Sequence, residues 1–396
     1  MKNRVQIALV GTLLSILAHV YLTLHYYPLK FGFAGGQSLC NINQKFDCDA
    51  VSASSFSALF GIPLSVWGAV FNAVLFIMIL LAWLEWSEYP ERLRRWSLAF
   101  AGVSLASSLV MGAISLTMMQ AYCLFCIGLY ILSAIVFVAL KGTLREPFLM
   151  HFKMDLPKLW SDSRGIVFTM IAIPAAAYLT HQMFMQNLGD AQLTRVVNES
   201  VADWQAAPVQ NFVAKPALVM GPSAENAKLR LVEFADFNCG HCKRASYTLH
   251  AFVKAHPDVR FEFYNFPLDG ACNEKITGSN GMSCRMASAV LCAEAEGKGW
   301  DMHHLLFEKQ EQYIRLGSPN ELDVELAKEV VPMGLNWESV LRCLNQPETM
   351  DAVRAQAKQG ALVDVRGTPT LFANGKLLQR GQLVPVLQAV HAKASQ

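Results

Sequence analysis

Apolar and polar positions divide the chain into two unlike halves. Up to about residue 184 the apolar residues run together in long blocks, over 5–24, 62–84, 96–120, 122–140 and 165–182. A helix crossing a hydrocarbon core of about 30 Å needs about 20 residues, so these blocks predict five membrane-spanning helices. Beyond residue 185 the pattern is that of water-soluble sequence. Residues 228–237 read Lys-Leu-Arg-Leu-Val-Glu-Phe-Ala-Asp-Phe, a strand by alternation and β-formers, and 243–254 carry apolar residues at helical spacing. Residues 185–227 mix helical patterning over 188–204 with Pro208, Pro216 and Pro222, which suits a lead-in segment between the halves.

Composition agrees with this division. Of 396 residues 53% are hydrophobic and 16% charged, against about 25% charged in an ordinary soluble domain. A net charge of +2 without a basic run excludes a nucleic-acid partner. Basic residues cluster at Lys2 and Arg4, at Arg92, Arg94 and Arg95, and at Lys141, Arg145, Lys153, Lys158 and Arg164. Threading five helices alternately puts all three clusters on one side, the cytoplasmic one by the positive-inside rule. The loop 25–61, the link 120–122 and everything after 184 then face the other compartment. The first apolar block is too long for a signal-peptide core and no small-residue cleavage site follows it, so it is expected to remain as a helix. No transit peptide is visible. The expectation is a multi-pass protein of a bacterial inner membrane with its soluble half in the periplasm.

The charge pattern gives the cysteines their meaning. All ten, at 40, 48, 123, 126, 239, 242, 272, 284, 292 and 343, fall on the non-cytoplasmic side, where thiols pair. With none on the cytoplasmic side, electrons taken from thiols must leave through a lipid-soluble carrier. Cys40 and Cys48 lie in a polar loop, followed by a short apolar stretch that ends at Gly61 and Pro63. Asp49 is the expected N-cap of a short helix through Leu59, and a mobile loop pair suits thiol exchange. Cys123-Leu-Phe-Cys126 opens the fourth block, where a helix N-terminus favours the reactive thiolate. Cysteines in a membrane helix also serve as small apolar residues. The C-x-x-C spacing, the interfacial position and the second pair on the same side favour the redox reading.

The loop pair, the Phe60-Gly61-Ile62-Pro63 turn, and Cys123-x-x-Cys126 followed by Tyr130 resemble the vitamin K epoxide reductase family over about 30–142. The resemblance implies a four-helix bundle around a quinone (ubiquinone, menaquinone or a vitamin K-like naphthoquinone). It makes Cys123 and Cys126 the quinone-reducing pair and Cys40 and Cys48 the shuttle pair. By position it brings Ser54 and Tyr130 to the quinone. Ser54 also lies in a serine-rich stretch where a hydroxyl has capping work to do, and Tyr130 also suits a plain interfacial aromatic.

In the soluble half a strand leads into Cys239-Gly-His-Cys242 and then a helix. That order exposes Cys239 at a helix N-terminus, its thiolate expected to be stabilised by the helix dipole and by the charge of His241, and makes Cys242 the resolving thiol. Zinc is the competing use of C-x-x-C, but no second ligand pair of matching spacing occurs in this half, so no metal is expected. Further on, Arg366-Gly-Thr-Pro-Thr-Leu-Phe-Ala-Asn-Gly-Lys places Pro369 ahead of a strand over 370–373 and an Asn-Gly turn. Together with the upstream pair this resembles the thioredoxin fold, which implies a cis Thr-Pro bond beside Cys239. The 126 residues between Cys242 and Pro369, with helical stretches at 286–296, 303–313 and 322–331, resemble the DsbA-like branch with its helical insertion. CGHC departs from that branch's commoner CPHC. Cys272, Cys284, Cys292 and Cys343 are read as structural, with Cys272–Cys284 and Cys292–Cys343 favoured among three pairings.

The expected fold is therefore a membrane four-helix bundle plus a fifth transmembrane helix, joined to an α/β thioredoxin-like domain with a helical insertion. The expected bounds are 1–142, 143–184 (cytoplasmic loop and fifth helix), 185–227 (linker) and 228–396. The expected chemistry runs from exported proteins with free cysteines to Cys239/Cys242, then Cys40/Cys48, then Cys123/Cys126, and into the quinone pool of the membrane lipid. Two alternatives remain: a membrane-anchored disulfide isomerase or reductase, and a non-enzymatic membrane protein with structural cysteines.

Overall fold

The computed structural model describes all residues except 1, 33–35, 37, 42–44, 88, 120, 145–154, 156–163, 189 and 396. Arg145, Lys153 and Lys158 of the third basic cluster lie outside the described residues. The chain divides into two compact units, Met1–Leu29 with Gln37–Asp190, and Lys30–Gly36 with Ala191–Gln396.

The first unit is helical. Its long helices are α1 (Lys2–Lys30), α3 (Leu64–Trp83), α4 (Pro90–Met118), α5 (Leu124–Lys141) and α6 (Arg164–Leu188), with a short α2 (Cys48–Ala53) after the first loop. All five long helices are long and apolar enough to cross a membrane. Their outward faces carry bare Ile7, Leu14, Leu17, Val103, Leu109 and Phe168, a pattern that water would penalise and lipid does not. Inward, Leu75, Ile79, Phe100, Val136 and Leu140 pack into one cluster. Close approach of α1 to its neighbours rests on two glycines. A Cβ at Gly11 would stand 2.7 Å from a Val136 methyl, and one at Gly68 would collide with the His19 ring. The bundle has chemically distinct ends. Arg4 donates to the Gly142 carbonyl at 2.7 Å, joining the start of α1 to the end of α5, and Arg95 clasps Asp155 with two hydrogen bonds. Cys40, Cys48 and Cys123 cluster at the opposite end, where α5 begins.

Two expectations for the first loop need correction. The helix after it is capped by Asp47, whose carboxylate accepts from the Ala50 N–H, and it ends at Ala53; a 3-10 turn (Ser55–Ser57) and a two-strand hairpin, β1 (Ala58–Leu59) and β2 (Ile62–Pro63), follow. Asp49 is buried and otherwise engaged, with one oxygen 2.7 Å from His25 Nε2 and the other accepting from Ser38 N and Asn41 Nδ2. Nor do the loop cysteines swing free, since Cys40 and Cys48 are buried to 2% and 1% exposure.

The second unit opens with α7 (Asp190–Ala206), whose Trp204 donates its indole N–H to the Ala373 carbonyl. A five-stranded sheet follows in the order β3-β5-β4-β6-β7 (Leu218–Met220, Val259–Asn265, Leu229–Ala235, Thr370–Ala373, Lys376–Leu377). The β4–β5 pair is parallel, with Leu231 opposite Phe261, and the other pairs are antiparallel. The parallel pair needs a crossover, and α8 (Gly240–Ala255) supplies it. Alternation along β4 sends Leu229 and Leu231 to a core with Leu249 and Phe252 of α8 and Val386, Leu387 and Val390 of α15 (Val384–Ala394). It sends Val232 and Phe234 to a second core with Tyr264, Phe266 and Phe372. Between β5 and β6 comes the helical insertion: α9 (Met282–Ala295), α10 (Gly299–Glu308), α11 (Gln310–Tyr313), α12 (Pro319–Val330), α13 (Trp337–Leu344) and α14 (Pro347–Leu362). The stretch expected as one helix over 303–313 is two, broken at Lys309. Disulfides Cys272–Cys284 and Cys292–Cys343 staple the insertion, the second tying α9 to α13.

Candidate functional site

The sulfur end of the helical unit is assembled by backbone pairing. Phe46 and Tyr122 form a parallel bridge: Tyr122 N donates to Lys45 O at 2.7 Å, and Asp47 N donates to Tyr122 O at 3.0 Å. Cys48 follows Asp47 and Cys123 follows Tyr122, so the bridge sets the two cysteines side by side, with Sγ atoms 3.3 Å apart. Asn41 accepts from the Cys48 N–H and donates to Asp49, which fixes the loop's return. Cys40 is disulfide-bonded to Cys48, and Cys123 to Cys126. Cys123 is the N-cap of α5, its sulfur accepting from Cys126 N at 3.1 Å. The first free N–H groups of the helix therefore point at the sulfurs, as a developing thiolate requires.

Behind these sulfurs lies a cavity of about 320 Å³ with mostly apolar walls. Cys123, Cys126, Ser54, Trp67, Tyr130 and His19 are among the residues that line it. Ser54 donates to the Val51 carbonyl at 2.7 Å as α2 ends. His19 went unnoticed in the sequence because it lies inside an apolar block. It is sealed against Gly68, and its Nδ1 has no hydrogen-bond partner among the described residues.

The second dithiol is built differently. Cys239 is the N-cap of α8 and half-buried, while Cys242, one turn in, is fully buried; both are free thiols. Cys239 Sγ lies 3.3 Å from the Thr368 carbonyl oxygen, and the Thr368–Pro369 bond is cis. The Cys239 thiol is brought down to about 5, first by the hydrogen bond from Cys242, then by the Thr368 side chain and the backbone N–H groups of Cys242 and His241. The His241 ring is exposed and turned to Arg244, 2.9 Å away, so what His241 offers this thiolate is its backbone N–H. Burial and the Cys239 charge hold Cys242 well above the ordinary thiol range. Gln310 of the insertion donates to the carbonyls of Phe237 and Cys239 and fixes the turn that presents the motif.

Two acids lie under this dithiol, both in residues whose pattern had marked only a strand. Glu233 is 1% exposed, and neither carboxylate oxygen has a hydrogen-bond partner among the described residues. Burial, then the Cys239 charge, raises it to about 8. Asp236 is raised by burial to about 6, opposed by hydrogen bonds from Asn238 N, Ser283 and Leu268 N. The Glu233 charge adds to burial and the Cys239 charge in holding the Cys242 thiol up. An acid among Leu, Val and Phe at a fully buried strand position is the signal that could have revealed Glu233.

Comparison with known proteins follows this division. The chain spans about a fifth (22%) of the length of the first curated relatives it matches, sodium/proton antiporters such as NhaA 1 of Mycolicibacterium vanbaalenii, at 28% identity over 157 residues, or 38% of this chain. It is 23% identical over 159 residues to disulfide bond formation protein D of Bacillus subtilis, covering 39% of this chain and 67% of that one. Among solved structures, oxidised BdbD of Bacillus subtilis covers 48% of this chain and 98% of its own at 22% identity and a TM-score of 0.39. A thioredoxin-like oxidoreductase from Silicibacter pomeroyi covers 45% and 91% at 27% identity and a TM-score of 0.36. Residues 6–140 match the vitamin K epoxide reductase family and residues 230–389 the DSBA-like thioredoxin domain. The chain thus matches a vitamin K epoxide reductase family domain, on helices long and apolar enough to cross a membrane, followed by a DSBA-like thioredoxin domain.

Proposed function

We propose that this chain is a disulfide-forming oxidoreductase that moves two electrons from thiols of exported proteins to a membrane quinone. A client thiolate attacks the Cys239–Cys242 disulfide at Cys239, and a second client thiolate displaces Cys239, leaving the client oxidised and the pair reduced. The reduced pair passes its electrons to Cys40–Cys48 in the same way. Cys48 thiolate then attacks Cys123, expelling Cys126; Cys40 closes on Cys48 and releases Cys123. The Cys123/Cys126 dithiol returns to the disulfide as two electrons and two protons convert quinone to quinol. The quinone occupies the cavity behind Cys126, with Ser54 and Tyr130 at its polar atoms. The basic end of the bundle is cytoplasmic by the positive-inside rule, so every dithiol serves the periplasmic side of the inner membrane.

The observation that carries this reading is the 3.3 Å approach of Cys48 to Cys123, whose side chain lines an apolar cavity. The low thiol pKa of Cys239 favours oxidation over isomerisation of clients, because a stabilised thiolate stabilises the reduced pair. The test uses the purified full chain with a quinone and a reduced client. Quinol should form only when the client is present. Cys126→Ala should lower the rate at least about a thousandfold while Cys239 still forms a mixed disulfide with the client. Undiminished quinol formation in Cys126→Ala contradicts the scheme.

A further inference from the structure

Away from both dithiols, three histidines of the second unit meet inside an aromatic box. His250 comes from α8, the helix that begins with the C-x-x-C motif, and His303 and His304 from α10 of the insertion. The ring centroids of His250 and His303 are 4.9 Å apart, those of His250 and His304 4.7 Å, and those of His303 and His304 5.6 Å. One nitrogen of each ring lies within 4.8 Å of the other two. His303 is 0% exposed and His250 5%, while His304 is half-buried and leaves an approach from outside.

A buried histidine is ordinarily a hydrogen-bonded one, and here that reading fails. His250 Nδ1 pairs with His304 Nε2 at 2.7 Å, but His250 Nε2 and both nitrogens of His303 meet no hydrogen-bond partner among the described residues. Phe237, Phe263 and Phe307 stand nearly perpendicular to the His303 ring. Their faces can receive an N–H but offer nothing to the imidazole lone pair. Leaving such an atom dry carries the full desolvation cost of the group. A Lewis acid removes that cost.

We propose that His250, His303 and His304 form a binding site for one divalent transition-metal ion of the zinc class, linking the redox helix to the helical insertion. Three imidazoles are a ligand set suited to zinc, copper, nickel or cobalt, with a fourth position left for water on the half-exposed side. Metal–nitrogen bonds of about 2.0–2.1 Å set tetrahedral ligand nitrogens about 3.3–3.4 Å apart. Side-chain rotation by about an ångström therefore closes the site around the ion. The perpendicular aromatic rings and the indole of Trp300, anchored by its N–H to the Val219 carbonyl, hold the imidazoles in place. The ion would fasten the helix that presents Cys239 without touching its sulfur.

The test titrates chelator-stripped full-length chain, its disulfides oxidised, with Zn²⁺ and follows the free ion with a chromogenic indicator. One equivalent should bind, and saturation should raise the melting temperature by several degrees. His304→Gln, at a half-exposed position that should leave the fold intact, should weaken binding at least tenfold. Cys239→Ser/Cys242→Ser and His391→Gln (the latter in a separate histidine group beside Asp258) should leave it unchanged. Co²⁺ in place of Zn²⁺ should give visible ligand-field bands without thiolate charge-transfer absorption. Absence of stoichiometric binding, wild-type affinity in His304→Gln, or loss of binding in the double cysteine variant would overturn the site.

Discussion

The two C-x-x-C pairs of this chain share their local geometry and differ in everything around it. Each starts a helix with its first cysteine at the N-cap. Around Cys123 and Cys126 the walls are mostly apolar, and the polar side chains among them, serines, tyrosines, Trp67, Asn72 and His19, carry no carboxylate. Around Cys239 and Cys242 the first sulfur is half-exposed and two buried acids lie beneath. The helix terminus supplies thiolate stabilisation in both cases, and the surroundings decide the partner. A pair meeting peptides from water needs an internal proton acceptor and an open first sulfur. A pair meeting a lipid-soluble acceptor needs a dry cavity at its back. On the proposed reading, one tetrapeptide motif serves two chemistries.

The contrast is sharpest at Glu233. As proton acceptor for Cys242 in the proposed relay, Glu233 governs electron transfer to the loop: Glu233→Gln should slow the attack of Cys242 on the mixed disulfide between Cys239 and the loop pair by about a hundredfold, the usual scale of a lost general base. Quinol formation driven by a small dithiol acting directly on the membrane pairs should not change. Rapid-quench analysis of the mixed disulfide checks the first expectation and quinol absorbance the second; equal slowing of both would erase the distinction. A smaller effect separates the thiols themselves. Thiolate absorbance of the reduced chain, taken as the difference from Cys239→Ser, should titrate with a midpoint near 5.

That value fixes the sign of a stability effect. The folded pKa of Cys239 lies below its unfolded value, so the reduced chain gains stability relative to the oxidised one as pH rises from about 5 towards 9 and loses it as pH falls through 5. Glu233, raised to about 8, works the other way: its contribution is present at low pH and is lost as pH rises through 8. Comparing denaturation of reduced and oxidised chain at each pH isolates the Cys239 part. A midpoint above 8 would place this thiol in an ordinary environment.

Much of the architecture was legible in the sequence because it rests on long, strong patterns. Five apolar blocks gave the spans, since lipid leaves a helix no other way to satisfy its backbone. A strand, C-x-x-C and helix, followed by Thr-Pro and an Asn-Gly turn, gave the thioredoxin-like fold, and the interval between them gave the insertion. What the sequence hid are features set by tertiary contacts. The N-cap fell to Asp47 rather than Asp49 because the Phe46–Tyr122 bridge holds the chain in extended form up to Asp47, while Asp49 is claimed by His25. The burial of Cys40 and Cys48 depends on that same pairing across 76 residues of chain, which no local pattern reveals. Glu233 reads as one polar position of an alternating strand until both faces of that strand prove buried. The histidine cluster joins residues more than fifty positions apart.

The central claim is direct sulfur exchange between the loop and the membrane pair. Cys40→Ser/Cys126→Ser leaves Cys48 and Cys123 as the free thiols of that site, and mild oxidation of the purified chain followed by proteolysis and mass spectrometry reads their fate. The account predicts a Cys48–Cys123 disulfide in nearly every molecule. Two thiols that remain alkylatable after oxidation, or that pair only between different molecules, would contradict it.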